Sequence, residues 1–173
     1  MTAIATVRTP LGPFTLEATE RGVCGVRPRR GGGGTARDAR GRYVGTPRPP
    51  LSAREEEHVR AGVKALREYF RGRAPELPAL DLSGSAFDRK VWAGLLDIGW
   101  GETLTYGELA ARLGVPGAAR AVGAANGRNP VAILVPCHRV VAKGGGLGGY
   151  AGGVEMKRWL LAHEAGHAPA LRL

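Results

Sequence analysis

Hydrophobic and polar positions change rhythm along this chain, and each rhythm predicts an element. Three short segments near the start have strand character: Ala3 to Arg8, Phe14 to Thr19 and Val23 to Arg27. Pro10-Leu11-Gly12-Pro13 and Glu20-Arg21-Gly22 supply turn chemistry between them, which predicts a small antiparallel sheet. The period then lengthens. Ser52 with Glu55 three residues on is a capping box, and Val59, Val63, Leu66 and Phe70 fall on one face of the helix it opens, with Gly72 just past its end. That helix is expected to cover one face of the sheet. Residues 73 to 82, with Pro75 and Pro78, read as a linker.

The remainder is mainly helical. Ser85 caps a helix carrying Phe87, Val91, Leu95 and Ile98, closed by Gly99. Thr105 with Glu108 forms another capping box, opening a helix through Leu113 that stops at Gly114-Val115-Pro116. A further helix is expected from about Gly117 to Asn126, and a last one from about Glu155 to Glu164. Two short helices joined by a tight Gly-containing turn make a helix-turn-helix pattern, although any helical hairpin shares it.

Charge narrows the choice of partner. The 25 Lys+Arg against 15 Asp+Glu leave a formal +10, so nucleic acid or another anionic surface is the first partner to test. Most of that excess is local. Residues 27 to 48 carry seven Arg against Asp38, +6 of the +10, around four consecutive glycines and a Pro-rich exit. The Gly/Arg loop at 28 to 50 therefore reads as a solvated surface segment. No run approaches the roughly 18 apolar residues of a membrane span, and Met1 to Pro10 lacks the features of a signal peptide. With two cysteines, Cys24 and Cys137, a cytoplasmic protein with reduced thiols is expected.

The chemistry concentrates in Asn129-Pro130-Val131-Ala132-Ile133-Leu134-Val135-Pro136-Cys137-His138-Arg139-Val140-Val141. Val131 to Val135 reads as a buried extended segment that delivers Cys137 and His138 to a cleft. A lone buried Cys is usually an inert small hydrophobe. Here a His follows it, and imidazole can take the thiol proton to give the nucleophilic thiolate. A carboxylate must then orient the His, and Glu164 and Glu102 are both candidates.

Pro136-Cys137-His138-Arg139-Val140 resembles the active-site signature of the O6-alkylguanine-DNA alkyltransferases, and the match runs from Phe87 to Glu164. Phe87…Val91-Trp92, Gly101-Glu102-Thr103 and Thr105-Tyr106-Gly107-Glu108-Leu109-Ala110 resemble the family's first helical stretch, and Ala118-Ala119-Arg120-Ala121-Val122-Gly123 its recognition helix. Gly149-Tyr150-Ala151-Gly152-Gly153 and Lys157…Leu160-Leu161…Glu164 follow in order. The resemblance implies an α+β two-domain fold. Residues 1–82 would be a ribonuclease H-like unit of small antiparallel sheet and helix, and 83–173 a winged helix-turn-helix-like unit carrying the active site.

The resemblance also implies a function. The alkyl group of a flipped-out O6-alkylguanine, and of O4-alkylthymine in some members, would pass irreversibly to Cys137, once per molecule. His138, through a water held by Glu164, would accept the thiol proton, and Tyr106 would help rotate the nucleotide and donate toward the base. Arg120 would fill the vacated stack, with Ala119, Gly123, Asn126 and Tyr106 at the DNA. Val140, Tyr150, Ala151, Gly152, Asn129 and Arg139 would form the pocket, and Asn129 would tie the active-site turn to the helix-turn-helix. The expected partner is double-stranded DNA, with no membrane, for a monomer needing no cofactor and no metal.

Some positions depart from the family. Gly99 stands where Pro is frequent, and Ala151 where some members have Ser. Cys24 and His58 are too few to build the structural zinc site of some relatives. Other classes compete weakly. His163-Glu164-Ala165-Gly166-His167 matches HExxH, but Gly166 weakens the helix that must carry both His. Gly144 to Gly149 lacks the spacing of a phosphate-binding loop. A cysteine hydrolase would not normally have its Cys and His adjacent in sequence, and a plain helix-turn-helix regulator would have no use for Cys137.

Overall fold

A computed structural model describes residues 2–29 and 51–166. From residue 30 onward the Gly/Arg loop lies outside the described residues, as does His167. The fold is α+β: among the described residues, an antiparallel sheet in the order β1-β2-β3, a short parallel pair and five α-helices.

Strands β1 (Ala3–Thr9), β2 (Gly12–Thr19) and β3 (Gly22–Pro28) occupy the three segments expected from the sequence. Alternation puts Val7, Phe14 and Leu16 into the core, with Val7 opposite Phe14 and Leu16 opposite Val26. Helix α1 (Ala53–Phe70) starts at the expected capping box, Ser52 Oγ accepting from Glu55 N–H while Glu55 Oε2 accepts from Ser52 N–H. It packs on the sheet, but its buried stripe is rotated from the expected one. Gly62, Ala65, Leu66 and Tyr69 are buried, whereas Val59, Val63 and Phe70 sit half-buried at the margin. The cause is Gly62: a Cβ there would meet Leu16 Cδ1 at 2.6 Å and Val23 Cγ2 at 2.9 Å, so the bare Cα lets the helix lie closest along that line.

The free edge of β3 joins the two halves of the chain. Val23 N–H donates to Ala79 C=O (2.8 Å) and Asp81 N–H to Val23 C=O (2.9 Å), so the 73 to 82 segment adds to the sheet edge. Farther along, Val26 N–H donates to Pro130 C=O (2.9 Å) and Ala132 N–H to Val26 C=O (3.0 Å). An edge that would otherwise expose unpaired amides is covered by the chain leading to Cys137.

Helices α2 (Ala86–Leu96) and α3 (Tyr106–Arg112) begin at the expected Ser85 cap and Thr105/Glu108 capping box; Asp88 completes a further box at Ser85, and α2 stops two residues short of Ile98, which the sequence pattern places on it. Helix α4 (Ala119–Gly127) starts two residues later than expected, and α5 (Val154–Glu164) one residue earlier. Trp92 Nε1–H donates to Ala125 C=O (2.9 Å), fixing α2 against α4. The expected extended segment from Val131 to Val135 is a correction. It is buried, but it folds back on itself, with Val135 N–H donating to Val131 C=O (2.9 Å) and Ile133 at φ 74°. A straight strand would overshoot; the reversal returns the chain to α4 just before the cysteine. The sequence also gave no sign of the parallel pairing of β4 (Leu104–Thr105) with β5 (Val140–Val141), a contact between distant segments.

Replacing Gly62 by Ala tests the packing. Helix propensity favours Ala by about 0.5–1 kcal/mol, but stiff Val23 and enclosed Leu16 must yield, so a net loss of about 1 kcal/mol is expected in urea unfolding. A stabilised variant would show that helix and sheet do not meet this closely.

Candidate active site

Cys137, His138 and Arg139 form a single 3-10 turn, all three buried, entered from Pro136 and left through β5. Two asparagines hold it. Asn129 Nδ2–H donates to Val135 C=O (2.8 Å) and its Oδ1 accepts from Val131 N–H (3.0 Å), pinning the reversed segment on itself. Asn126, from α4, donates to the Cys137 carbonyl (3.2 Å). Asn129, bonded through its own N–H to the Asn126 carbonyl at the end of α4 (3.3 Å), thus joins α4 to the chain entering the turn, as expected, and Asn126 adds a second tie. Asn126 is buried at 5% exposure, its Nδ2–H making this internal bond while the residue also lines the cleft described below.

The histidine's carboxylate is Glu164. Its Oε1 lies 2.7 Å from His138 Nε2 and accepts from Tyr69 Oη–H (2.9 Å) and Arg139 Nη2–H (3.0 Å). Oε2 accepts from Arg139 Nε–H (2.8 Å) and Gly101 N–H (3.1 Å). The other candidate, Glu102, is exposed and accepts from Gly99 N–H (3.1 Å). Burial pushes Glu164 up, but the hydrogen bonds and charges of His138 and Arg139 outweigh it and bring its pKa down to about 2. An ionised carboxylate only accepts, so Nε2 of His138 carries the proton and Nδ1 holds the lone pair. Nδ1 is buried with no hydrogen-bond partner among the described residues. Burial lowers the His138 pKa, against the pull of Glu164, so the ring is neutral near pH 7.

Burial raises the Cys137 thiol, and Asn129, Lys157 and Tyr150 act against that rise. Lys157 is fully buried on α5, its Nζ donating to Val140 C=O (2.6 Å) and lying 5.9 Å from the centre of the Tyr106 ring. Tyr150 is raised well above an ordinary phenol, by burial first and then by the charge of Cys137 and its interaction with the sulfur. Tyr106, the first residue of α3, packs where Cβ atoms built at Gly123 and Gly148 would fall 3.6 and 3.2 Å from its ring.

A cleft of about 900 Å³ opens at Cys137. Of the residues expected at the site, Tyr106, Gly123, Asn126, Asn129, Tyr150, Ala151 and Gly152 line it. Arg139 and Val140 do not. The Arg139 guanidinium is spent on Glu164 and on the Ile98 carbonyl, and the Val140 carbonyl accepts from Lys157. Ala119 and Arg120 lie outside the cleft in the first turn of α4, with Arg120 exposed. His163 Nε2–H donates to the Tyr69 carbonyl (2.7 Å) and its ring stacks on Trp159 at 4.8 Å, so with Glu164 committed to His138 and Arg139 the zinc-protease reading fails. Tyr69 and Lys157 were not expected at the site. Lys157 was legible: Lys157, Leu160 and Glu164 share one stripe of α5, two charges on a buried face.

An α+β chain that buries a Cys-His pair and its carboxylate beside a helical hairpin defines a class, and comparison with known proteins defines it further. Residues 86–166 match the family described as 6-O-methylguanine DNA methyltransferase, DNA binding domain. The chain is similar to the methylated-DNA--protein-cysteine methyltransferases of Mycolicibacterium paratuberculosis, 55% identical over 62% of this chain and 66% of that protein, and of Salmonella typhimurium, 54% identical over 57% and 59%. The matched stretch thus spans less than two thirds of each relative's length. The crystal structure of Mycobacterium tuberculosis OGT in complex with DNA is similar over 96% of this chain and 95% of that one, at 42% identity and TM-score 0.77. The chain belongs to the O6-methylguanine-DNA methyltransferase family.

The Glu164 cluster gives a pH test. Its folded pKa of about 2 lies below the ordinary 4.5, so its stabilisation is present above 4.5 and lost as pH falls toward 2. Glu164→Gln, which leaves Arg139 buried without its counter-charge, is expected to cost about 3 kcal/mol near pH 7. The gap between wild type and variant in urea melts should narrow steadily between 4.5 and 2; a constant gap would mean the carboxylate is not ionised in the fold.

Proposed function

We propose that this protein repairs DNA by direct damage reversal, moving the alkyl group of O6-alkylguanine onto Cys137. What most supports the reading is the neutral His138 beside the nucleophile, its Nε2 proton held by Glu164 at 2.7 Å and its Nδ1 left as a base. Nδ1 takes the thiol proton through a water. The thiolate sulfur attacks the alkyl carbon in line, an S–C bond forms, the C–O6 bond breaks, and its electron pair leaves with guanine. Tyr106 donates a proton toward the leaving base. The thioether is stable, so each molecule acts once.

The alkyl carbon is out of reach inside a duplex, so the nucleotide must leave the stack. The cleft at Cys137 is large enough for a base. Helices α3 and α4 are read as a helix-turn-helix, Gly114 and Gly117 giving the turn at φ 70° and 88°. Exposed Arg120 stacks where the base was, a role suited to its planar guanidinium. Residues 1–82 are read as a ribonuclease H-like unit and 83–173 as a winged helix-turn-helix-like one. The protein acts as a monomer in the cytoplasm.

Mass spectrometry of the intact protein after exposure to DNA bearing O6-methylguanine tests the chemistry. One methyl group per molecule, on Cys137 and absent from Cys137→Ser, is expected; continuous turnover or transfer in that variant would refute it. Arg120→Ala should slow repair of duplex DNA by roughly tenfold, about 1.4 kcal/mol, while transfer from a free O6-alkylguanine base changes little. Equal losses on both substrates would remove Arg120 from the flipping step.

A further inference from the structure

Tyr69 is the penultimate residue of α1, so it reaches the active site from the half of the chain that carries the sheet. It is 1% exposed and surrounded by rings, Trp100 at 5.1 Å, Phe70 at 5.3 Å, His163 at 5.4 Å and His138 at 6.0 Å between centroids. A phenylalanine would satisfy that packing. The hydroxyl is the part that packing leaves unexplained. It donates to Oε1 of Glu164 at 2.9 Å and lies 3.3 Å from Nε2 of His138. A phenol has one proton, and Nε2 already carries its own, so the carboxylate is the acceptor. Oε1 therefore divides its acceptor capacity among Tyr69, His138 and Arg139.

We propose that Tyr69 is a positioning residue for the alkyl-transfer site, its hydroxyl occupying Oε1 of Glu164 and so limiting how strongly that carboxylate draws on His138. Nδ1 of His138 then stays available as a base. The inference rests on the alkyl-transfer reading. Burial first, and then the Glu164 charge, lift the Tyr69 phenol far above its ordinary value, so it remains a donor throughout the folded range.

The sign follows from the groups that face the ring. His138 feels Glu164 and Lys157 from α5 and Arg139 from its own turn, while Tyr69 feels Glu164, Arg139 and Tyr150, and lies against His163. In Tyr69→Phe all of these remain and one donor to Oε1 is lost. The carboxylate is less neutralised, imidazolium becomes easier to form, and His138 titrates at higher pH. Because the base must be neutral, the acid limb of the transfer rate moves up with it.

The experiment uses the full chain. The His138 imidazole is titrated by NMR, and single-turnover transfer is followed from mildly acidic to mildly alkaline pH. For Tyr69→Phe we expect the His138 midpoint to rise by about half a unit, hence a roughly threefold slower transfer on the acid limb with the rates converging above it. Site-specific 3-fluorotyrosine at position 69, a more acidic phenol and a stronger donor, should move both quantities the other way. It also decides the matter if the Phe variant fails to fold. An unmoved His138 midpoint, or a rate lowered by one factor at every pH, would reduce Tyr69 to packing. Wild-type transfer tests the alkyl-transfer reading separately, and the His138 titration needs no transfer at all.

Discussion

The carboxylate of Glu164 accepts hydrogen bonds from Tyr69, Gly101, His138 and, twice, Arg139. A buried carboxylate is expensive to desolvate, and it is tolerated only where donors replace the water it has lost. Here those donors come from the end of α1, the turn before β4, and the 3-10 turn at Cys137. None can be displaced without leaving charge unsatisfied. Much of the tertiary arrangement follows from that constraint: α1 must run its full length to present Tyr69, and Trp100 is held next to Gly101 by donating to the Glu164 backbone carbonyl at 3.0 Å. Arg139 belongs to this demand too, which is why it faces away from the cleft.

A second constraint fixes the sulfur. Ile133 adopts φ 74°, a conformation costing a β-branched residue about 1–2 kcal/mol. It persists because the surroundings over-determine it. Asn129 bonds both ends of the reversed segment, β3 pairs with its beginning, and Asn126 takes the Cys137 carbonyl. The thiol is thus placed by backbone contacts to α4 and to the sheet, independently of the charges around Glu164. Asn129 serves both ends, fixing the turn through Val131 and Val135 and easing the thiol's proton off against burial.

What the sequence disclosed divides along the same line. The capping boxes at Ser52, Ser85 and Thr105 were legible because a cap is complete within four residues. The strands were legible because their alternation and turns are local. Cys137 and His138 were legible as neighbours, but Glu164 could be chosen over Glu102 only through a family resemblance, since 26 residues separate it from His138. Tyr69 was invisible for a related reason. It lay beside Phe70 at the margin of an apparent apolar stripe, and only the close approach at Gly62 rotates α1 so that Tyr69 points inward. The fold-back at Ile133 was misread as extended because a short continuous apolar run reads that way, and the asparagine bonds that reverse it leave no mark in the run itself.

The protonation state at rest bears on how such a site survives until it is needed. Burial raises the Cys137 thiol and lowers His138, so both partners are neutral together. Lys157, a positive charge inside the fold held on the Val140 carbonyl and over the Tyr106 ring, opposes the rise at Cys137 but adds to the lowering at His138. Burial in turn lowers Lys157, and the charge of Cys137 raises it again. Thiol and ammonium are therefore coupled: forming the thiolate strengthens the ammonium, and losing it weakens it. Thiolates, not thiols, are what oxidants and electrophiles attack. Under the proposed transfer, which consumes Cys137, keeping the thiol protonated until a substrate arrives spares it from other electrophiles, and the buried Lys157 cation responds when the proton leaves.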